Sequence, residues 1–368
     1  MTEADTDVKP APAPAVADRA ETQERLWGAA LAGDEYAAVA VVFAALDAGM
    51  APEEVLLDVI APVQYRVGTE WAANRISVTE EHCATAINDR VIGALAHHPS
   101  SRSPATTGRV TVACVDGEWH ALPARLLAEV LRIRGWQVDF LGAQVPTPHL
   151  VAHLHRTGPD AVALSCSIPS RLPVAHAAIT ACQAAGVPVL VGGAAFGPDG
   201  RYGRQLGADA WAADARAAAE TLVRGLTRVP VAGGTHLLTD LPHLVDQEYT
   251  MITDMAPQLV HACVGELERR LPDMRSYSDA QRQHTTEDIG YIIDFLAAAL
   301  YTDDDDLFGR FISWTSDILC ARGVPAAALP PALDILIAQL PDFPRAQRIL
   351  RTARITLADK ATDPTQMP

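Results

Sequence analysis

His120, with Glu118 two residues and Asp116 four residues before it, has the makings of a metal ligand. One imidazole nitrogen can face a metal while a carboxylate holds the other in the right tautomer. The stretch Val110–Pro123, VTVACVDGEWHALP, sets its position. Val110–Val115 is an apolar, β-branched run of strand length, Asp116–Trp119 breaks it, and Ala121–Trp136 has helical periodicity. In an open parallel α/β sheet, ligands bind beyond the carboxyl ends of the strands, and His120 falls on such a loop. Taken alone, the same spacing also suits a surface or capping histidine.

Two later signals fall on the same edge of the expected sheet. Ser165-Cys166-Ser167 closes the run Ala161-Val-Ala-Leu, a third strand, and Gly192-Gly193 closes Val187–Val191, a fourth. This order resembles the cobalamin-binding domain of methionine synthases, corrinoid methyl carriers and light-sensing cobalamin proteins, whose pattern is Asp-x-His-x-x-Gly, Ser-x-Leu and Gly-Gly. Here the motifs read Glu118-x-His120-x-x-Pro123, Ser165-x-Ser167 and Gly192-Gly193, so the spacing is kept while three residue types differ. The resemblance implies that His120 displaces the nucleotide base of cobalamin and coordinates cobalt. Asp116 and Glu118 would support it, and the displaced base would be buried beside Ser165, Ser167, Gly192 and Gly193.

The 368 residues suffice for two or three domains, each with its own core. A net charge of -16, with no compensating Lys/Arg cluster, argues against nonspecific binding to nucleic acid or anionic membrane. Small molecules or other proteins are the expected partners. The six cysteines lie in apolar segments without C-x-x-C spacing, as buried thiols of a reducing compartment do. No basic-then-apolar leader and no apolar run of about 18 residues occur, so a cytoplasmic location is expected.

Four regions are expected. Residues 1–20, rich in Ala, Pro, Asp and Thr, read as a disordered tail, too short for a DNA-binding domain. Residues 21–98 read as a four-helix bundle with breaks at Gly33-Asp34, Gly49–Pro52 and Asn74–Ser77. After the linker at 99–107, residues 108–228 alternate strand and helix, giving a doubly wound, Rossmann-like parallel sheet of five strands: Val110–Val115, Val138–Leu141, Ala161–Ser165, Val187–Val191 and Ala208–Trp211. A second linker spans Val229 to Asp240, and residues 241–363 read as about five helices, possibly a globin-like domain.

In the bundle, Ser77-Val-Thr-Glu80 is a capping box that puts Glu81 and His82 in the first turns of a helix, while Trp71 ends the helix before it. Trp71 also suits the core of a bundle end, and Glu81 also complements a helix dipole. A Trp followed ten residues later by Glu-His, just before a cobalamin domain, resembles CarH-type light sensors over residues 21 to 228. That resemblance implies that the bundle caps the upper face of adenosylcobalamin. Trp71 would pack on the adenosyl group, Glu81 would accept hydrogen bonds from its hydroxyls, and His82 would line the same pocket. Those regulators carry His directly after the Trp, where this chain has Ala72, so His82 or water takes that place.

In the C-terminal region, His284, Asp288 and Tyr291 fall at i, i+4 and i+7, on one helix face. The stripe suits a solvated face or a dimer contact. The tandem of cap, cobalamin domain and helical domain also resembles photocobilins, which implies a biliverdin-binding module in which these three residues meet the tetrapyrrole. Cys263 and Cys320 lie in apolar helical stretches and read as inert core. Asp303–Asp306 reads as a helix cap and first turn rather than a calcium loop.

The expected function is a light sensor and not an enzyme, in which breakage of the cobalt–carbon bond changes conformation and oligomeric state and the signal passes to an effector protein. The alternatives are a corrinoid carrier in an enzymatic methyl transfer, which needs an open upper face, and a sensor of cobalamin as a nutrient.

Overall fold

The computed structural model describes residues 18–226, 242–323 and 329–362. Most of the expected tail and the whole of the Val229–Asp240 linker lie outside them. The chain forms two compact units, one containing the bundle up to Trp71 and from Ile76 to Pro104, the other containing Ala72–Arg75 and the described chain from Ala105 onward.

The bundle follows its punctuation. Asp18 caps α1 (Arg19–Leu31) by accepting from the Ala20 amide. Gly33 turns in the left-handed region at φ 72° and Asp34 caps α2 (Glu35–Asp47). The third helix starts at Pro52–Glu54, widens into a π-helical segment over Val55–Ile60 and runs on as α3 (Ala61–Ala72). Asn74, at φ 57°, ends that rod, and the Ser77/Glu80 capping box opens α4 (Val78–His97). Leu26, Leu56, Ile60, Ile92 and Leu95 fill the core. The four helices match expectation. The π-helical widening carries no sequence signal.

In the second unit, β1 (Gly108–Cys114), β2 (Trp136–Gly142), β3 (Ala161–Ser165), β4 (Val189–Gly192) and β5 (Ala210–Ala212) form a parallel sheet in the order 2-1-3-4-5. The chain turns left from β1 to β2 and then moves steadily right. Right-handed crossovers therefore put α5 (Leu122–Ile133) on one face and α6 (Thr147–Thr157), α7 (Leu172–Ala184) and α8 (Arg201–Gln205) on the other. After β5, α9 (Ala215–Arg224) returns to pack on α5. The switch in winding direction lies between β1 and β3, and their carboxyl ends open the crevice where such sheets bind ligands.

Strand β4 starts at Val189 rather than Val187, because Pro188 has no N–H to add to a ladder. Strand β5 starts at Ala210, after Gly207 turns at φ 74° and Asp209 spends its carboxylate on the Val189 amide, 2.7 Å away.

Among the described residues five further α-helices follow: α10 (Glu248–Arg270), α11 (Asp279–Thr302), α12 (Asp305–Ala321), α13 (Leu329–Gln339) and α14 (Pro344–Thr362). Their apolar faces share one continuous core with the α6/α7 face of the sheet, through Leu154, Ile179, Leu296, Phe308 and Leu333 among others. Polar contacts close the seam. Tyr301 lies 2.6 Å from His176 Nδ1 and stacks on His243 at 3.9 Å, while Arg201 and Tyr202 both donate to Asp304, the cap of α12. The acidic run is thus a cap and first turn, as its spacing predicts.

The cysteines need a correction. Cys114, Cys166, Cys182 and Cys263 are buried, but Cys83 and Cys320 are exposed. Cys83 sits one residue off the buried stripe of α4 and Cys320 lies in the last turn of α12, so an apolar neighbourhood in sequence did not make a core position.

Candidate functional site

The loop after β1 is folded around the Glu118 carboxylate. Gly117 turns at φ 74°, and the Glu118 amide donates back to Val115 O at 3.1 Å, which swings the side chain under the loop, where it is fully buried. Its Oε1 accepts from the His120 amide at 2.8 Å and lies 2.6 Å from His120 Nδ1. Its Oε2 accepts from the amides of Ser167 at 2.6 Å and Ile168 at 3.1 Å, just beyond β3. Cys114 and Ser165 are partners in the β1–β3 register, and that pairing brings the two loops together across the switch point.

Burial alone would raise the Glu118 carboxyl. The bonds from the His120 ring, the His120 amide and the Ser167 amide outweigh it and hold the group at about 2. An ionised carboxylate on Nδ1 makes that nitrogen the donor, which leaves Nε2 as the lone-pair nitrogen of the neutral ring. The imidazole itself is 59% exposed, so a metal can approach it. Asp116, the other carboxylate in the motif, is exposed, and the pairing goes to Glu118. Burial, and then the Glu118 charge, push the Cys114 thiol up to about 12, and the same causes raise Cys166. Neither thiol competes with His120 as a ligand at neutral pH.

Pro123 does not disturb the loop. It lies in the first turn of α5, where a backbone N–H has no helical partner to lose.

Beside this loop a cavity of about 130 Å³ opens between α5, α9 and the ends of β3, β4 and β5. Ser165, Gly192, Gly193, Leu127, Val191 and Ala215 are among its lining residues. Ser165, Gly192 and Ala212 form one row across the sheet. Gly193 is held at φ 101°, and a Cβ there would come within 2.3 Å of the Cys166 carbonyl. Ser167 does not line the cavity; its amide serves Glu118 instead.

In the bundle, Trp71 is half-buried in the last turn of α3. Glu81 and His82 sit in the opening turns of α4, with Glu81 Oε2 2.6 Å from His82 Nδ1. Glu81 is 23% exposed and His82 75%. A chain of hydrogen bonds that the sequence reading missed leads inward: Thr85 Oγ1 donates to Glu81 Oε1 at 2.8 Å, Gln64 Nε2 to Thr85 Oγ1 at 2.8 Å, and Asn88 Nδ2 to Gln64 Oε1 at 2.8 Å. The i, i+4, i+7 spacing of Glu81, Thr85 and Asn88 was the available signal.

His284, Asp288 and Tyr291 share a helix face as expected, but all three are exposed, and His284 faces Glu287 at 3.5 Å. Further along α11, and on α12, lies an aromatic group that was not foreseen. Phe295 and Phe311 stack at 3.7 Å with 6° between their planes, and Trp314, half exposed, lies 6.5 Å from Phe311.

Among the described residues no group of three or more His, Cys, Asp or Glu is placed to hold a bare metal ion. One histidine backed by a buried carboxylate instead suits a metal that arrives with its own equatorial ligands. Residues 108–223 match the B12 binding domain family, and residues 22–96 match a second B12 binding domain model. Among curated proteins, the chain is 31% identical over 201 residues to the HTH-type transcriptional repressor CarA of Myxococcus xanthus, covering 52% of this chain and 65% of that one. It is 30% identical over 154 residues to the HTH-type transcriptional repressor CarH of the same organism, covering 40% and 50%. The chain thus spans between half and two thirds of these relatives. Among solved structures, the monomethylamine corrinoid protein of Methanosarcina barkeri aligns over 56% of this chain and 99% of that one, at 19% identity and a TM-score of 0.49.

The residues fit a corrin cofactor. Glu118 presents the His120 ring for axial ligation, and the glycine-floored cavity next to it accepts a flat, largely apolar group. No helix of the described residues is long and apolar enough to cross a membrane. Residues 22–96 and 108–223 thus each match a B12 binding domain, and the two matches support a cobalamin cofactor.

Proposed function

We propose that the protein is a cytoplasmic light sensor, not an enzyme, that binds adenosylcobalamin with His120 as the cobalt ligand and Trp71 as a contact for the adenosyl group. The observation that carries this reading is the end of the bundle: a half-buried indole at Trp71 and a Glu81 carboxylate fixed from within by Thr85. Such a bulky, polar-tipped cap suits an adenosyl group and leaves poor access for a methyl donor. Light supplies the energy that breaks the cobalt–carbon bond of the bound cofactor. His120 would hold the cobalt throughout, Trp71 and Glu81 would hold the adenosyl group until it leaves, and the bundle would then repack; such a two-state change alters oligomeric state and passes the signal to an effector. Ala72 offers no ligand, so His82 is the imidazole that this end of the bundle presents.

A second chromophore, biliverdin, belongs to the same proposal. Its support is the aromatic cluster of Phe295, Phe311 and Trp314, whose half-exposed indole offers a stacking surface to a planar conjugated molecule, rather than the exposed stripe of His284, Asp288 and Tyr291.

Visible spectra and gel filtration of the protein loaded with adenosylcobalamin, kept dark and then illuminated, test the reading. Photobleaching with a change in elution volume is expected, and Trp71→Ala should weaken adenosylcobalamin binding about tenfold through lost stacking area. Methyl transfer in the dark without photobleaching would identify a corrinoid carrier. Equal elution in light and dark would identify a nutrient sensor. Incubation with biliverdin should add a red-absorbing band, and no such band would end the second-chromophore proposal.

A further inference from the structure

The buried end of the bundle's hydrogen-bond chain calls for an explanation. Asn88 is fully buried, and among the described residues its Oδ1 has no hydrogen-bond partner. A leucine of similar size would fill the space without stranding a carbonyl, so the asparagine is explained by what its amide N–H does. That group donates to Gln64 Oε1, and Gln64 Nε2 donates to Thr85 Oγ1. A threonine hydroxyl has one proton. Thr85 Oγ1 accepts from Gln64 Nε2, and its one proton goes to Glu81 Oε1, 2.8 Å away. Every donor in the chain therefore points the same way, outward, and the chain ends on a carboxylate oxygen only partly open to solvent.

We propose that Gln64, Thr85 and Asn88 are positioning residues that set the specificity of the cap for an adenosyl upper ligand, by locking the Glu81 carboxylate in the rotamer that receives ribose hydroxyls. The proposal rests on the adenosylcobalamin reading above. An adenosyl group brings two adjacent hydroxyls, and a methyl group or water brings no such pair. A carboxylate held in place before binding accepts from that pair without first losing rotamer freedom, so the relay favours one cobalamin form over the others. Among the described residues Glu81 Oε2 pairs with the exposed His82 ring, a surface side chain that can swing away to admit the second hydroxyl.

The test compares affinities of the full chain for adenosylcobalamin, methylcobalamin and hydroxocobalamin in the dark, with thermal melting of each cofactor-free variant alongside. Thr85→Val keeps the shape and removes the hydroxyl. It should weaken adenosylcobalamin about tenfold and leave the other two forms within about twofold. Thr85→Ser should restore the parent's preference, and Gln64→Glu, which replaces the Nε2 donor by an acceptor, should shift it in the same direction as Thr85→Val. If Thr85→Val does not fold, Gln64→Glu against Thr85→Ser decides the matter. Equal loss for all three forms would reduce the chain to a structural role and overturn the proposal. If Glu81→Gln abolishes the parent's preference while Thr85→Val retains it, the relay is wrong and the cap reading stands. If the parent itself shows no preference for adenosylcobalamin, both fail.

Discussion

The chain uses the same pair twice. Glu118 with His120 and Glu81 with His82 each bring a carboxylate oxygen within 2.6 Å of an imidazole Nδ1, yet the two pairs are built differently. Glu118 is fully buried, and three peptide N–H groups, two of them from the β3 loop, fix it as firmly as the sheet fixes its own register. Glu81 is partly open, and among the described residues its other partner is a threonine hydroxyl that a rotamer change can withdraw. A carboxylate held by backbone makes a permanent bracket; one held by side chains makes a clasp that opens. That division is what the proposed light sensor requires of its two Glu–His pairs.

Removing the charge of the bracket is the strongest way to break this comparison. Glu118 is held at about 2 against an ordinary 4.5, which corresponds to about 3 kcal/mol of stability at neutral pH. Because the folded-state value is depressed, that contribution is complete above the ordinary value. It drains away as the pH falls from about 5 toward 2. In the cofactor-free protein, Glu118→Gln should lose about 3 kcal/mol in urea unfolding at pH 7 and show a flatter acid limb than the parent. It should also bind cobalamin about 10- to 100-fold more weakly, as a displaced supporting carboxylate does. Stability equal to the parent's at pH 7 would mean that the three amides do not need the charge.

His120→Ala separates support from ligation. The ring is more than half exposed, so unfolding should change by less than about 1 kcal/mol, while cobalamin uptake falls about 100-fold or more. The visible spectrum of any bound cofactor should lose its imidazole-ligated form. Uptake and spectrum like those of the parent would remove the metal-ligand role.

How far each pair could be read from sequence follows from where its partners come from. Glu118-x-His120, the strand before it and the Gly192-Gly193 turn are local patterns, and all were legible. The amides of Ser167 and Ile168 were not, since they reach Glu118 only through the β1–β3 register. The sequence pointed to the Ser167 hydroxyl where the structure uses its backbone. The capping box at Ser77 and Glu80 was legible for the same reason of locality, whereas Gln64 joins Thr85 from another helix. Periodicity put His284, Asp288 and Tyr291 on one face but says nothing about whether that face meets water. The stacking of Phe295 on Phe311 joins two helices and leaves no spacing to find.

The smallest expected effect is the most informative about the clasp. His82 is three-quarters exposed, and its contact with Glu81 is an adjacent-residue pair on the surface of α4, a kind of contact worth little in water. His82→Ala should therefore shift stability by no more than about 0.5 kcal/mol, and dark adenosylcobalamin affinity by less than about threefold. The visible spectrum after illumination should differ from the parent's, because the ring that Ala72 cannot replace is then missing. A dark affinity loss as deep as that of His120→Ala would make the two Glu–His pairs equivalent. The contrast between a backbone-held bracket and a side-chain-held clasp would then be false, since exposure and the lack of peptide donors would have made no difference to how tightly a pair grips.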